Sequence, residues 1–190
     1  MATTEAQHYT PMAKKSEWPS LLEGYEDAEP LPTTFNADGK SLYNPPGPRS
    51  AAYEEFPKPI DPTRNGFDFH IYHMPDVPAQ AQYAKELYER IRREFPELRI
   101  FKFYNKPAGP HPTAVFEVDT FTPHQTGAFF SWLVIHRGPC DVLIHPNIGN
   151  LYREHTELAT WMGRKWPLDE DRLKDRTLKF SYVPVSVSES

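Results

Sequence analysis

Three residue types that handle metals and protons recur on a strict two-residue beat near the middle of the chain: Asp68, His70 and Tyr72. In an extended strand alternate side chains point to opposite faces, so these three share one face while Phe67, Phe69 and Ile71 share the other. A carboxylate, an imidazole and a phenol in a row are too polar for a dry core. Further along, His111 sits in a Gly-Pro-His-Pro turn, Glu117 follows in a β-rich run, and His145 closes the run Leu143-Ile144-His145-Pro146. Two imidazoles with a carboxylate, or three imidazoles, on rigid elements suit a divalent transition metal with open coordination positions. His111 is a candidate for a further ligand. His155 is a candidate proton donor or acceptor at the same pocket, and Asp68 could serve only to orient His70.

Other chemistries lack their signatures. There is no Gly-rich phosphate loop, no G-x-S-x-G elbow and no H-E-x-x-H helix. Cys140, the single cysteine, cannot form an internal disulfide, which points to a packing role and a reducing, cytoplasmic setting. A net charge of -5 argues against a nucleic-acid partner, and no apolar run is long enough to span a membrane. His136 falls at a helix C-terminus, where positive charge is favoured, and reads as structural.

The elements that must position these residues follow from periodicity. Phe67–His73 reads as a first strand. Pro78 opens a helix, with Asp76 as its cap and an apolar stripe of Ala84, Leu87, Tyr88, Ile91 and Phe95. Residues 98–105 read as a second strand, 106–112 as a turn-rich connection and 113–119 as a third strand. Thr122, Pro123 and Gln125 form the start of a second helix, ended by Gly138. Residues 141–145 read as a fourth strand, 152–162 as a C-terminal helix and 178–185 as a short last strand. The order is an α+β, ferredoxin-like βαββαβ plan: an antiparallel sheet in spatial order 4-1-3-2 with both helices on one face. Its other face then gathers Asp68, His70, Tyr72, Glu117 and His145 on adjacent strands.

Residues 1–62 hold 10 of the 21 prolines and little periodicity. Their aromatic and leucine content suggests an extended arm, leaving residues 63–190 as the folded domain. A bare sheet face can be covered by such an arm or by a homodimer.

Several blocks carry a resemblance to a known family: Asp68-Phe69-His70-Ile71-Tyr72, Gly109-Pro110-His111-Pro112, Phe116-Glu117-Val118, Arg137-Gly138-Pro139, Ile144-His145-Pro146-Asn147, Glu154-His155-Thr156 and Trp161-Met162-Gly163. Together they resemble the DOPA 4,5-dioxygenase family. The resemblance implies a non-haem Fe(II) extradiol dioxygenase that cleaves the ring of a catechol such as DOPA with O2. It implies His70, His111 and His145 as metal ligands and His155 as acid/base. Asp68 and Glu117 would orient the ligands or bind metal, and Tyr72, His73, Asn147 and Ile148 would lie beside the substrate. The chain departs from the family's pattern at His73, Ile148 and Asn150, which bears on substrate identity. A rival reading is an isomerase, cyclase or binding protein for an aromatic or polyketide-like secondary metabolite, using the same pocket without oxygen activation.

Overall fold

The computed structural model describes residues 20–175. By Cα proximity the chain separates at the Pro48–Arg49 bond into two compact units. In the first, the described residues form turns and a bridge between Phe35 and Leu42, with Asp38 capping the intervening turn through the backbone N–H groups of Lys40 and Ser41. Everything below concerns the second unit.

That unit begins with a 3₁₀ turn, Ala51–Tyr53, capped by Ser50. It continues as β1 (Phe67–His73), α1 (Pro78–Glu94), β2 (Arg99–Ile100), β3 (Tyr104–Ala108) and β4 (His111–Thr120). Then come α2 (Pro123–His136), β5 (Asp141–Pro146), α3 (Leu151–His155), β6 (Thr160–Met162) and α4 (Glu170–Asp175). The sheet is antiparallel and six-stranded, in the order β2-β4-β1-β5-β6, with β3 also paired to β4. The α+β class and the central order stand as the periodicity predicts, with β1 between its two long partners.

Alternation divides the sheet. Phe69 and Ile71 of β1, Phe116 and Val118 of β4, and Val142 and Ile144 of β5 turn to the helices. They form the main core with Ala84, Leu87 and Ile91 of α1 and Phe129 and Leu133 of α2. Cys140 is buried in this core, in the packing role its solitary occurrence suggests. α2 starts as its sequence dictates: the Thr122 hydroxyl accepts from Gln125 N, and the Gln125 side chain accepts from Phe121 N. α1 differs in one detail. Its cap is Val77, with no side-chain hydrogen bond, so the fixed φ of Pro78 rather than an Asp76 cap sets the start.

Three expectations are corrected. The predicted second strand is split into β2 and β3, and the predicted connection 106–112 is largely strand, a tight hairpin turning at Gly109 with φ of 58°. Pro107 is tolerated because β3 lies at an edge and is bulged there. The predicted 152–162 helix stops at His155, and Thr160–Met162 instead pairs with β5. The free backbone groups of β5 on that side are a stronger partner for Thr160–Met162 than further helix would be. The strand read at 178–185 lies outside the described residues.

Before β1, the chain packs onto the sheet's end. The Phe56 ring packs at 5.6 Å against Phe67 in a tilted arrangement and occupies the space that a side chain at Gly66 would need. Asp61 N donates to Asn147 O at 2.9 Å.

Candidate metal centre

The second sheet face carries the polar residues. In the ladder, Asp68 lies opposite Asp119 and His145, His70 opposite Glu117 and Leu143, and Tyr72 opposite Val115 and Asp141. His111, at the start of β4, shares the parity of Val115 and Glu117 and so the same face. α3, which follows β5, brings His155 to it. Four imidazoles meet here: His70 lies 4.3 Å from His111, 5.1 Å from His145 and 5.5 Å from His155 between ring centroids, and His145 and His155 are 4.1 Å apart. All four are buried, His145 completely.

Their outer nitrogens are spoken for. His145 Nδ1 faces Pro146 O at 3.2 Å, and His155 Nδ1 faces Leu151 O at 2.9 Å. A carbonyl can only accept, so in each ring Nδ1 carries the hydrogen and Nε2 keeps the lone pair. His70 Nδ1 stands 3.5 Å from Glu117 Oε2, which favours the same tautomer, and the Tyr72 hydroxyl is 2.6 Å from His111 Nδ1. The Nε2 atoms of His70 and His145 lie 3.0 Å apart, and with Nδ1 carrying the hydrogen in both rings each would present a lone pair to the other. That separation repels in the absence of a shared cation. It matches two adjacent ligands at right angles on a first-row metal, for which bonds of about 2.1 Å put the nitrogens about 3 Å apart. Burial pushes the His70 pKa well below its ordinary value and that of His145 down to about 4. Both rings are therefore neutral at pH 7, the form that binds metal.

Three sets on this face each place one donor atom per residue within 4.8 Å of the others: His70, His111 and His155; Asp68, His70 and His145; and His145, Glu154 and His155. The donor set fits a transition metal that accepts imidazole and carboxylate.

The carboxylates form a layer behind the histidines. Asp68 Oδ2 is 3.7 Å from His145 Nε2, while Oδ1 accepts from the amides of Asn147, at 2.9 Å, and Asn65. Arg99 donates to Asp119 at 2.6 Å and to Asn65 at 3.1 Å. Asp68, Glu117 and Asp119 crowd together within 4.8 Å. Desolvation raises all three, Asp68 to about 6, Asp119 to about 7 and Glu117, with two carboxylate neighbours, to about 9. Arg99 favours the ionised form of Asp119, and Glu117, raised furthest of the three, is the one that stays protonated at pH 7.

Not every residue singled out in the sequence is brought to this place. His73 has the parity of Ile71 and lies on the helix side, stacked at 4.6 Å on Phe103 with Nε2 near Tyr104 O. Its burial among aromatic rings lowers its pKa. Asn147 is present through Asp68, and Ile148 through its backbone, which donates to Glu154 Oε1 at 2.7 Å. Glu154, Asp119, Asn65 and Arg99 escaped the sequence reading. Asp119 was available from its parity with Glu117, and Glu154 from its position beside His155 in a motif block. Asn65 and Arg99 carry no periodic signal. Beyond the histidines, Tyr72, Val115 and Leu143 form an apolar half of the face with Trp161 and Leu168, and Trp161 and Trp166 stack on Tyr72 at 5.6 and 6.3 Å.

A ferredoxin-like sheet with a buried histidine–carboxylate cluster on its open face defines a class: small α+β proteins with a candidate metal centre built on strands. The sequence model of the Dopa 4,5-dioxygenase family matches residues 67–172, and the chain belongs to that family. Among curated relatives, an uncharacterised 21.2 kDa protein of Botryotinia fuckeliana is 53% identical over 166 residues, covering 83% of this chain and 91% of the relative. DOPA 4,5-dioxygenase of Amanita muscaria is 31% identical over 132 residues, 66% of this chain and 56% of that protein. Among solved structures, a candidate dioxygenase of Nostoc punctiforme superposes with a TM-score of 0.53 at 29% identity, covering 58% of this chain and 92% of the other. Family membership supports an enzyme of dioxygenase type acting on a small molecule. Among the described residues no helix is long and apolar enough to cross a membrane.

Proposed function

We propose that the chain is a non-haem Fe(II) extradiol dioxygenase that opens the ring of a catechol, DOPA or a related diphenol, beside its two hydroxyls. The observation that carries this reading is the 3.0 Å approach of His70 Nε2 and His145 Nε2, with the imidazoles of His111 and His155 around them. His70, His111 and His145 would hold the ion, although His70 shares one set of close donor atoms with His111 and a different one with His145. Bound Fe(II) supplies the electron-transfer chemistry that allows O2 to react with a catechol.

The chain's own residues have separable tasks. Tyr72 fixes the ring of His111 through its 2.6 Å contact, and Glu117 faces His70 Nδ1 and holds that ring's orientation. A catechol sheds protons as it binds and its product regains one. His155, whose Nδ1 faces Leu151 O at 2.9 Å, would take part in that exchange through Nε2. Trp161, Leu168 and Tyr72 provide an apolar wall that excludes water beside the histidines.

The test is metal analysis of protein purified without chelator, then anaerobic Fe(II) loading and exposure to L-DOPA in air. Roughly one iron per chain, with oxygen uptake and a yellow ring-opened product, is the expected result. Turnover that survives complete removal of metal would overturn the proposal and favour acid–base chemistry in the same cluster.

A further inference from the structure

The histidine cluster has an open side. His111 and His155 keep 8% and 7% exposure, whereas His145 has none. On the His111 side lies a cavity of about 340 Å³, large enough for a single substituted ring. The β3–β4 hairpin forms one wall, with Pro107 and Pro110, and Pro167 and Leu168 form the other. The proline rings and the Leu168 side chain offer apolar surface to an aromatic ring, beside polar surface from the backbone and the charged side chains. Two charged side chains line it, Asp169 and Arg172.

Arg172 is held in a particular way. Its Nε pairs with Asp169 Oδ2 at 3.0 Å and its Nη1 donates to Gly109 O at 3.2 Å. Among the described residues its Nη2 has no acceptor. Two anchors therefore fix the guanidinium plane at the cavity wall and leave one edge of its donor fork unused. Although the side chain is 61% exposed, a guanidinium held at two points is partly oriented for a carboxylate, so less side-chain entropy remains to be lost.

We propose that Arg172 is a specificity-determining residue, which receives the carboxylate of an aromatic substrate whose ring lies in the cavity beside His111. Asp169 tempers this site. It orients Arg172 but also repels an incoming anion, so it limits affinity for the carboxylate. The inference rests on the ring-cleavage reading only in taking this cavity as the place where the substrate ring lies.

Binding without turnover tests it separately from that reading. The probes are 3-phenylpropanoate and its neutral counterpart 3-phenylpropanol, titrated by calorimetry into the full-length protein. Wild type is expected to prefer the carboxylate. Arg172→Gln should weaken the carboxylate about tenfold or more, leave the alcohol unchanged and erase the preference, with partial recovery in Arg172→Lys. Asp169→Asn, which keeps a capping oxygen for α4, should tighten the carboxylate severalfold. Equal weakening of both probes in Arg172→Gln would show that the residue only clasps the hairpin at Gly109, and would overturn the proposal. So would a wild type that binds neither probe or does not discriminate between them. Carboxylate preference in a protein that takes up no oxygen with any catechol would leave this assignment standing and overturn the ring-cleavage reading instead.

Discussion

His70 and His145 sit on neighbouring strands but not opposite each other: His70 faces Leu143 in the ladder, and His145 faces Asp68. Their contact is the diagonal one, and the two Nε2 atoms still come within 3.0 Å. This diagonal pair is the part of the molecule on which the proposed metal chemistry rests.

His145→Ala should abolish iron binding, while His136→Ala should leave it intact. His136 donates from Nδ1 to Trp132 O within α2 and stacks on Trp132, so its loss costs only local packing. Iron per chain after anaerobic loading checks the contrast. Equal iron in both variants would remove His145 from the ligand set.

Tyr72→Phe should keep the fold and weaken iron about 10- to 100-fold, the usual effect of losing a group that orients a ligand. The substitution removes one oxygen, the partner of His111 Nδ1 at 2.6 Å, and leaves the ring stack with Trp161 in place. Competition with a chelator of known affinity measures it. Unchanged affinity would mean that His111 is not a ligand.

Glu154→Ala should destabilise the protein by about 2–4 kcal/mol, because it strands two backbone donors in a partly buried loop. Glu154 Oε1 accepts from Ile148 N at 2.7 Å and from Asn150 N at 2.9 Å, pinning the turn that follows His145. Glu154→Gln retains an acceptor and should lose less. Denaturant unfolding of the two variants gives the comparison.

Metal-free protein should lose thermal stability as pH rises from about 6.5 to 9. Asp68, Asp119 and Glu117 have folded pKa values raised to about 6, 7 and 9, so each favours the folded state below its unfolded value and loses that contribution as pH climbs through the folded one. His70 and His145, depressed by burial, act in the opposite sense. Their contribution is complete above the unfolded histidine pKa and fades as pH falls toward the folded values. Below about pH 6.5 the two sets offset each other and the profile flattens. A melting temperature that climbs steadily from pH 6.5 to 9 would contradict these assignments.

Gly163→Ala should lower stability by about 1–3 kcal/mol and disturb the tryptophan wall. Gly163 has φ of 90°, where L residues are strained, and a Cβ there would overlap Asp141 Oδ1. Asp141 in turn accepts from Arg164 N and from Trp166 Nε1, both at 2.9 Å. A melting curve and the near-ultraviolet circular dichroism of the tryptophans check both parts.

The sequence by itself determined the sheet's two-sidedness and the membership of its polar face. The beat of Asp68, His70 and Tyr72 and the parities of Glu117 and His145 follow from the two-residue repeat of a strand, which is local and needs no tertiary information. The starts of both long helices were legible for a similar reason, since Pro78 and Pro123 act within one turn. The tertiary structure decided what periodicity cannot encode. Whether Thr160–Met162 extends a helix or joins the sheet depends on the unpaired edge of β5, a partner about twenty residues away. The diagonal meeting of His70 with His145 depends on the register between β1 and β5, and the arrival of His155 and Glu154 depends on where α3 packs. His73 shows the same division from the other side: its type suggested a site residue, and its parity sent it to the core.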